Sequence, residues 1–241
     1  MVDGAVLNQT PASAFKSGSF NRVPVISGSN HDEYRLLVAD QYDFAGNPLT
    51  DADYPAAVAT LEGGRPVSDP FVQILVNTEY PLSNYPPPQG YFVSAPLALG
   101  ALGTDEIFVC TARNADLLLS KYVPTYTYEF NDETAPSFFP PGLSFPQGDS
   151  HFIELEYLFD VGAFGIAPAF NSDQQELSDT MISYWTQFAR FGNPNSEGLP
   201  FWPRYTAVHG NFESLVAPVP TTLPDSKFDA DHKCSSFWNT F

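Results

Sequence analysis

Apolar and polar positions divide the chain into short segments with different periods. Val23-Pro-Val-Ile26 is a continuous apolar run bounded by Gly28 and reads as a buried strand. Pro24 fits best at the first residue of that strand, because proline cannot donate to the ladder. Ser27-Gly-Ser-Asn30 then turns the chain. Ser29 or Asn30 is expected to cap a helix running to about Asp40, with Asp32 and Glu33 in its acidic first turn. Further helices are expected over residues 49–62, ending at Gly63-Gly64, and over 69–82. The stretch 97–121 should hold two helices, divided at Gly100, Gly103 and Thr104. Tyr126, Tyr128 and Phe130 alternate with Thr127 and Glu129, the clearest strand pattern in the chain. Ser172 with Gln175 fits a capping box, opening a helix with Leu177, Met181, Tyr184, Trp185 and Phe188 at helical spacing and Gly192 as its stop. That stripe reads as core. Thr10–Gly18 has room for one or two helical turns, and the segment from Phe201 onward reads as loop and short strand.

Strands alternating with helices indicate an α/β architecture, and 241 residues are enough for one domain, 1–241, with a substantial core. Aromatic residues make up 15%, which argues against disorder, and 23 prolines with 16 glycines imply long loops. The net charge of -18 repels nucleic acid and an anionic membrane face. No run of 18 or more apolar residues marks a membrane span, and the N-terminus lacks the basic head and apolar stretch of a signal peptide. No Cys/His spacing suits zinc.

The candidate chemistry lies at two loops. About 20 residues rich in Pro and Phe follow the Tyr126–Phe130 strand and end at His151. So long a loop in a compact domain usually carries function, and a loop-borne histidine can act as general base. Glu33 occupies the matching place after the first strand. A carboxylate and then a histidine, each following a strand of one sheet, is the second half of a Ser…Asp/Glu…His triad in the chain order of α/β-hydrolases. Asp32 is the alternative acid.

Four stretches carry a specific resemblance. Gly28-Ser-Asn-His-Asp-Glu33 resembles the acid motif of the type-B carboxylesterase/lipase family, the cholinesterase-like branch of the α/β-hydrolases. Ser150-His151 followed by Glu154-Leu-Glu-Tyr-Leu-Phe159 is similar to its histidine motif. Tyr184–Asn195 with Trp202-Pro-Arg-Tyr205, and Cys234–Asn239, resemble its C-terminal segments. The resemblance implies the C-terminal half of an α/β-hydrolase fold, with Glu33 as triad acid, His151 as triad base, no cofactor, and a small-molecule carboxylic ester as substrate. By position it points to Tyr34, Leu36 and Leu37 in a substrate pocket. Phe138 and Phe139, in the loop before His151, are candidates for its rim and equally for core or loop-anchoring packing. His31, His209 and His232 match no position that carries chemistry and read as surface or loop residues.

The sequence departs from the family at the nucleophile. It contains no G-x-S-x-G elbow: Gly142-Leu-Ser144 and Gly148-Asp-Ser150 are followed by Pro146 and Phe152 where the second glycine belongs. No His-Gly-Gly stretch offers an oxyanion hole. The expectation is therefore a chain that begins in mid-domain, whose serine comes from an N-terminal half or a partner chain. The rival reading is a non-catalytic binding or adhesion module of cholinesterase-like type. The two cysteines permit one pairing, and the resemblance implies a Cys110–Cys234 disulfide, hence an oxidising, secreted or extracytoplasmic setting.

Overall fold

The computed structural model describes residues 2–136, 142–159, 169–208 and 210–238. It falls into two compact units. The first comprises residues 1–29, 109–131 and 171–241; the second comprises 30–108 and 132–170.

The first unit contains a mixed sheet of four strands in the order β1-β2-β3-β4. They are β1 (Val25–Asn30, ending on the first residue of the second unit), β2 (Thr125–Phe130), β3 (Asn211–Leu215) and β4 (Thr221–Pro224). β2 and β3 run parallel, with Tyr128 opposite Glu213, whereas β3 and β4 form an antiparallel hairpin in which Phe212 faces Leu223. Parallel pairing requires a long crossover, and the 20-residue helix Ser172–Phe191 lies within it. The mixture of sheet and helix is the expected α/β class. β1 extends through Ser27–Asn30, where a turn was expected, and Gly28 makes this possible: a Cβ there would lie 2.4 Å from the Tyr128 ring.

An aromatic cluster packs beside β2. Trp202 is fully buried, donates from Nε1 to the Thr127 carbonyl at 3.0 Å, and stands edge-on to Tyr126, Tyr128 and Tyr184. The long helix supplies Leu177, Met181 and Tyr184 to this core, as its periodicity indicates. Its capping box lies one residue before the expected one. Asn171, not Ser172, accepts from the backbone of Asp173 and Gln174, and Gln174 reaches back to the Asn171 N–H. The segment after Phe201 holds an unexpected helix, Asp225–His232. Its histidine corrects another expectation: His232 is buried, with Nε2 2.6 Å from Glu129 Oε1. His209 lies outside the described residues. Cys110 and Cys234 are joined as a disulfide closing a separation of 124 residues. On a chain-entropy argument such a closure stabilises by roughly 5 kcal/mol.

The second unit is mainly helical. Its elements are Arg35–Val38 continuing into a π turn Ala39–Asp43, Tyr54–Leu61, Pro70–Ile74 continuing into a π turn Leu75–Glu79, Ala95–Gly103 and Leu155–Leu158. Val38, Tyr54, Val58, Val72, Leu75, Tyr80 and Leu102 form its core. Gly100 and Gly103 do not divide the helix that contains them. A π turn, Thr104–Val109, carries it on into Cys110–Leu119. The glycines instead admit neighbours, since a Cβ on Gly103 would sit 2.3 Å from the Tyr34 ring. The resulting run, Ala95–Leu119, is the one helix among the described residues long and apolar enough to cross a bilayer. Two-thirds of its most apolar window is buried inside the protein, the profile of a core helix, and Asp105 sits within it.

Candidate functional site

Two segments of the second unit run beside each other: residues 30–35, between β1 and the following helix, and residues 148–154, after the long loop. The Asp32 N–H donates to the Asp149 carbonyl and the His151 N–H to the Glu33 carbonyl, each at 3.3 Å. Asn30 adds the side-chain link. Its Nδ2 donates to the Ser150 carbonyl at 2.9 Å and to Glu154 Oε2 at 2.6 Å. Asn30 is therefore not a helix cap. The helix begins at Arg35, and Asp32 and Glu33 occupy the turn ahead of it. Freed from the helix, these carboxylates reach across to the second segment.

Glu33 Oε2 lies 2.6 Å from His151 Nδ1, and Glu33 Oε1 accepts the Asn30 N–H at 2.8 Å. The carboxylate is thus fixed at both oxygens. The Glu33 side chain is 9% exposed, whereas that of His151 is 38% exposed. The hydrogen bond that His151 donates to Glu33 raises the His151 pKa above its ordinary 6.5, outweighing partial desolvation, with further help from the charges of Glu33 and Glu154. Engaged through Nδ1, the imidazole has Nε2 left to take and return a proton. Two rings flank it: Phe152 at 4.7 Å and 84°, and Phe108 at 5.4 Å and 50° between centroids and planes.

Around this pair the acids divide by environment. Burial pushes the Asp32 carboxyl up, but Arg35 at 2.8 Å and His31 at 3.2 Å outweigh it and leave Asp32 below the usual range. Arg35 holds the Asp32 carboxylate, so Asp32 does not compete for His151. Asp149 is fully buried, neither of its carboxylate oxygens has a hydrogen-bond partner, and its pKa is pushed well up by burial and by Asp32, Glu133 and Asp132. Burial also raises Glu154, against the hydrogen bond from Asn30. His31, Asp32 and Asp149 come close enough together to share a metal ion. The guanidinium of Arg35 already supplies the positive charge that Asp32 would otherwise seek.

Glu33 and His151 are brought together as expected. Tyr34 is buried, with its ring against Gly103 and its N–H donated to Thr104 Oγ1 at 2.9 Å. Leu36 and Leu37 are half-buried on the helix that follows. Phe138 and Phe139 lie outside the described residues. The two serines considered as nucleophiles are engaged elsewhere. Ser150 is fully buried and accepts from Gln147 at 2.9 Å, while Ser144 binds Asp43 through its N–H at 2.6 Å. The sequence alone does not single out Asn30 as a clamp, Glu154 as its acceptor, or the two flanking rings. Of these, Phe152 carried a signal: it follows the candidate base directly.

Comparison with known proteins identifies relatives of the chain. The sequence model of the Carboxylesterase family matches residues 1–222. The chain is 32% identical over 209 residues to the acylcarnitine hydrolase of Rattus norvegicus, covering 84% of this chain and 35% of that protein. It is 31% identical to the cocaine esterase of Homo sapiens, covering 85% and 36%, and 31% identical to the liver carboxylesterase of Sus scrofa, covering 87% and 36%. The chain thus spans little more than a third of the length of these curated relatives. With its mixed sheet, covering helices and family match over 222 residues, the chain belongs to the carboxylesterase family and has the α/β-hydrolase fold of that family.

Proposed function

We propose that this chain supplies the acid and base of a serine carboxylesterase acting on small carboxylic esters through an acyl-enzyme, as part of a single catalytic domain. The observation that carries the reading is the 2.6 Å contact between Glu33 Oε2 and His151 Nδ1, with the imidazole half-exposed. In this reading His151 Nε2 takes the proton of a serine hydroxyl as that oxygen attacks the ester carbonyl. It then gives the proton to the leaving alkoxide, and repeats the cycle with water to release the acid. Glu33 fixes the tautomer with the proton on Nδ1 and stabilises the imidazolium formed at each step. The raised His151 pKa supports this role for Glu33. Asn30 is a positioning residue, holding both the Glu33 carboxylate and the His151 loop.

The nucleophile in this account is a serine outside residues 1–241. The engagement of Ser144 with Asp43 and the burial of Ser150 support that assignment. The chemistry requires no cofactor. The Cys110–Cys234 disulfide favours an oxidising compartment.

Labelling the protein with a fluorophosphonate and mapping the adduct tests the assignment. The adduct is expected on a serine beyond this sequence. An adduct on Ser144 or Ser150 would overturn it.

A further inference from the structure

Asp149 is wholly buried, yet neither of its carboxylate oxygens has a hydrogen-bond partner. Its backbone is engaged: the carbonyl accepts from the Asp32 N–H and the N–H donates to Asp32 Oδ2, each at 3.3 Å. A buried carboxylate ordinarily has a donor, a cationic partner or a metal ion. Arg35 does not fill that role. It binds Asp32 Oδ2 at 2.8 Å and makes no hydrogen bond to the Asp149 carboxylate. What the Asp149 side chain does approach is a pair of further metal-ligating groups. His31 Nδ1 and Asp32 Oδ1 stand 3.2 Å apart, and a carboxylate oxygen of Asp149 lies within 4.8 Å of a ligand atom on each of these residues. Gly148 lets the segment come this close, since a Cβ there would lie 2.1 Å from Asp32 Oδ2.

Two ligands on one tetrahedral zinc ion stand about 3.4 Å apart, since each lies about 2.1 Å from the metal. The spacing of His31 Nδ1 and Asp32 Oδ1 is close to that. From this arrangement we infer a divalent-metal site of zinc type, with His31, Asp32 and Asp149 as its ligands. Arg35 occupies Asp32 Oδ2 and leaves Oδ1 to the ion, while Asp149 closes on it by rotation of its side chain. Two carboxylates against one guanidinium leave a negative charge that a divalent cation balances. An imidazole with two carboxylates suits zinc better than magnesium, which prefers oxygen ligands throughout. The His31 side chain is 36% exposed and gives the ion a way in from solvent. In chelator, Asp149 keeps the proton that burial favours; with the ion it is ionised. No local spacing announces the site, because Asp149 lies 117 residues from Asp32. The ion would brace the two segments that carry Glu33 and His151 without using either residue, so the inference stands apart from the triad reading.

The test is calorimetric titration of the protein, stripped with a chelator and dialysed, with zinc chloride and separately with magnesium chloride. Zinc is expected to bind one-to-one, and magnesium far more weakly. Loss of a group that merely orients a ligand weakens metal binding 10- to 100-fold, so His31→Ala and Asp149→Asn, which remove ligands, should each weaken zinc by about 100-fold or more. His151→Ala should leave zinc affinity unchanged, which separates this site from the triad histidine. No zinc binding up to about 100 μM, or equal affinity for magnesium, would overturn the proposal. So would unchanged zinc affinity in His31→Ala or Asp149→Asn, or its loss in His151→Ala. The zinc-against-magnesium comparison on the unaltered protein decides the matter even if a variant folds poorly.

Discussion

Among the described residues two glutamate–histidine pairs have the same 2.6 Å separation, in very different settings. In Glu129–His232 both side chains are almost wholly buried, at 3% and 4% exposure, and the contact runs through Nε2. The pair joins the strand Thr125–Phe130 to the last helix, and His232 packs against Phe228, which stacks on Phe212. In Glu33–His151 the carboxylate is buried but the imidazole is 38% exposed and engaged through Nδ1. A short carboxylate–imidazole contact is therefore no mark of catalysis by itself. The choice of nitrogen and the access of solvent to the ring distinguish a structural pair from one that can pass a proton to a substrate.

The largest effect should separate the two pairs outright. His151→Ala is expected to lower ester turnover by about 10⁴-fold or more, while His232→Ala leaves turnover per folded molecule unchanged. Steady-state kinetics normalised to folded protein checks both. Stability should show the reverse. His232→Ala leaves the Glu129 carboxylate buried beside an empty space and should cost about 3–5 kcal/mol in denaturant unfolding, whereas His151→Ala removes a half-exposed ring and should cost far less.

Asn30→Ala sharpens the contrast, because Asn30 serves the exposed pair through two side-chain bonds. It should cost about 1–3 kcal/mol by leaving Glu154 unsatisfied. Turnover should fall with it, as the His151 loop loses its side-chain tie to the Glu33 segment and keeps only the two backbone bonds. A stability loss with unchanged kcat would reduce Asn30 to a purely structural role.

Asp149→Asn gives a smaller, pH-dependent effect. The folded-state pKa of Asp149 lies well above the usual 3.8. Between those values the folded state holds a proton that the unfolded chain has released, so this residue's contribution falls as pH rises, until the folded group itself ionises. The variant cannot lose a proton there. Its stability relative to wild type should grow with pH above about 4, measurable as a widening gap in urea midpoints. A constant gap would mean that Asp149 is ionised throughout.

How far these features could be read from the sequence follows from their physics. That Glu33 and His151 meet is legible because each follows a strand and carries a local motif. The single cysteine pairing was legible because only two cysteines exist. The capping box slipped by one residue because Asn171 and Ser172 both favour the cap position and each has a glutamine three residues later, Gln174 and Gln175. The helix Asp225–His232 was missed because it buries only Phe228 and His232, too few to make a periodic stripe. His232 was read as surface because its partner Glu129 is 103 residues away, and no local pattern announces a buried ion pair. Asn30 looked like a helix cap, and in a helix it would have been one. The strand instead runs on to it, and its amide turns to Glu154 and Ser150.

The most direct test of the central claim is a double-mutant cycle on ester turnover with Glu33→Gln and His151→Ala. If the two residues act as one unit, each variant lowers kcat by orders of magnitude and the double variant is little worse than His151→Ala alone. Turnover that survives either substitution, or losses that simply multiply, would contradict the assignment of Glu33 and His151 as the acid and base of one site.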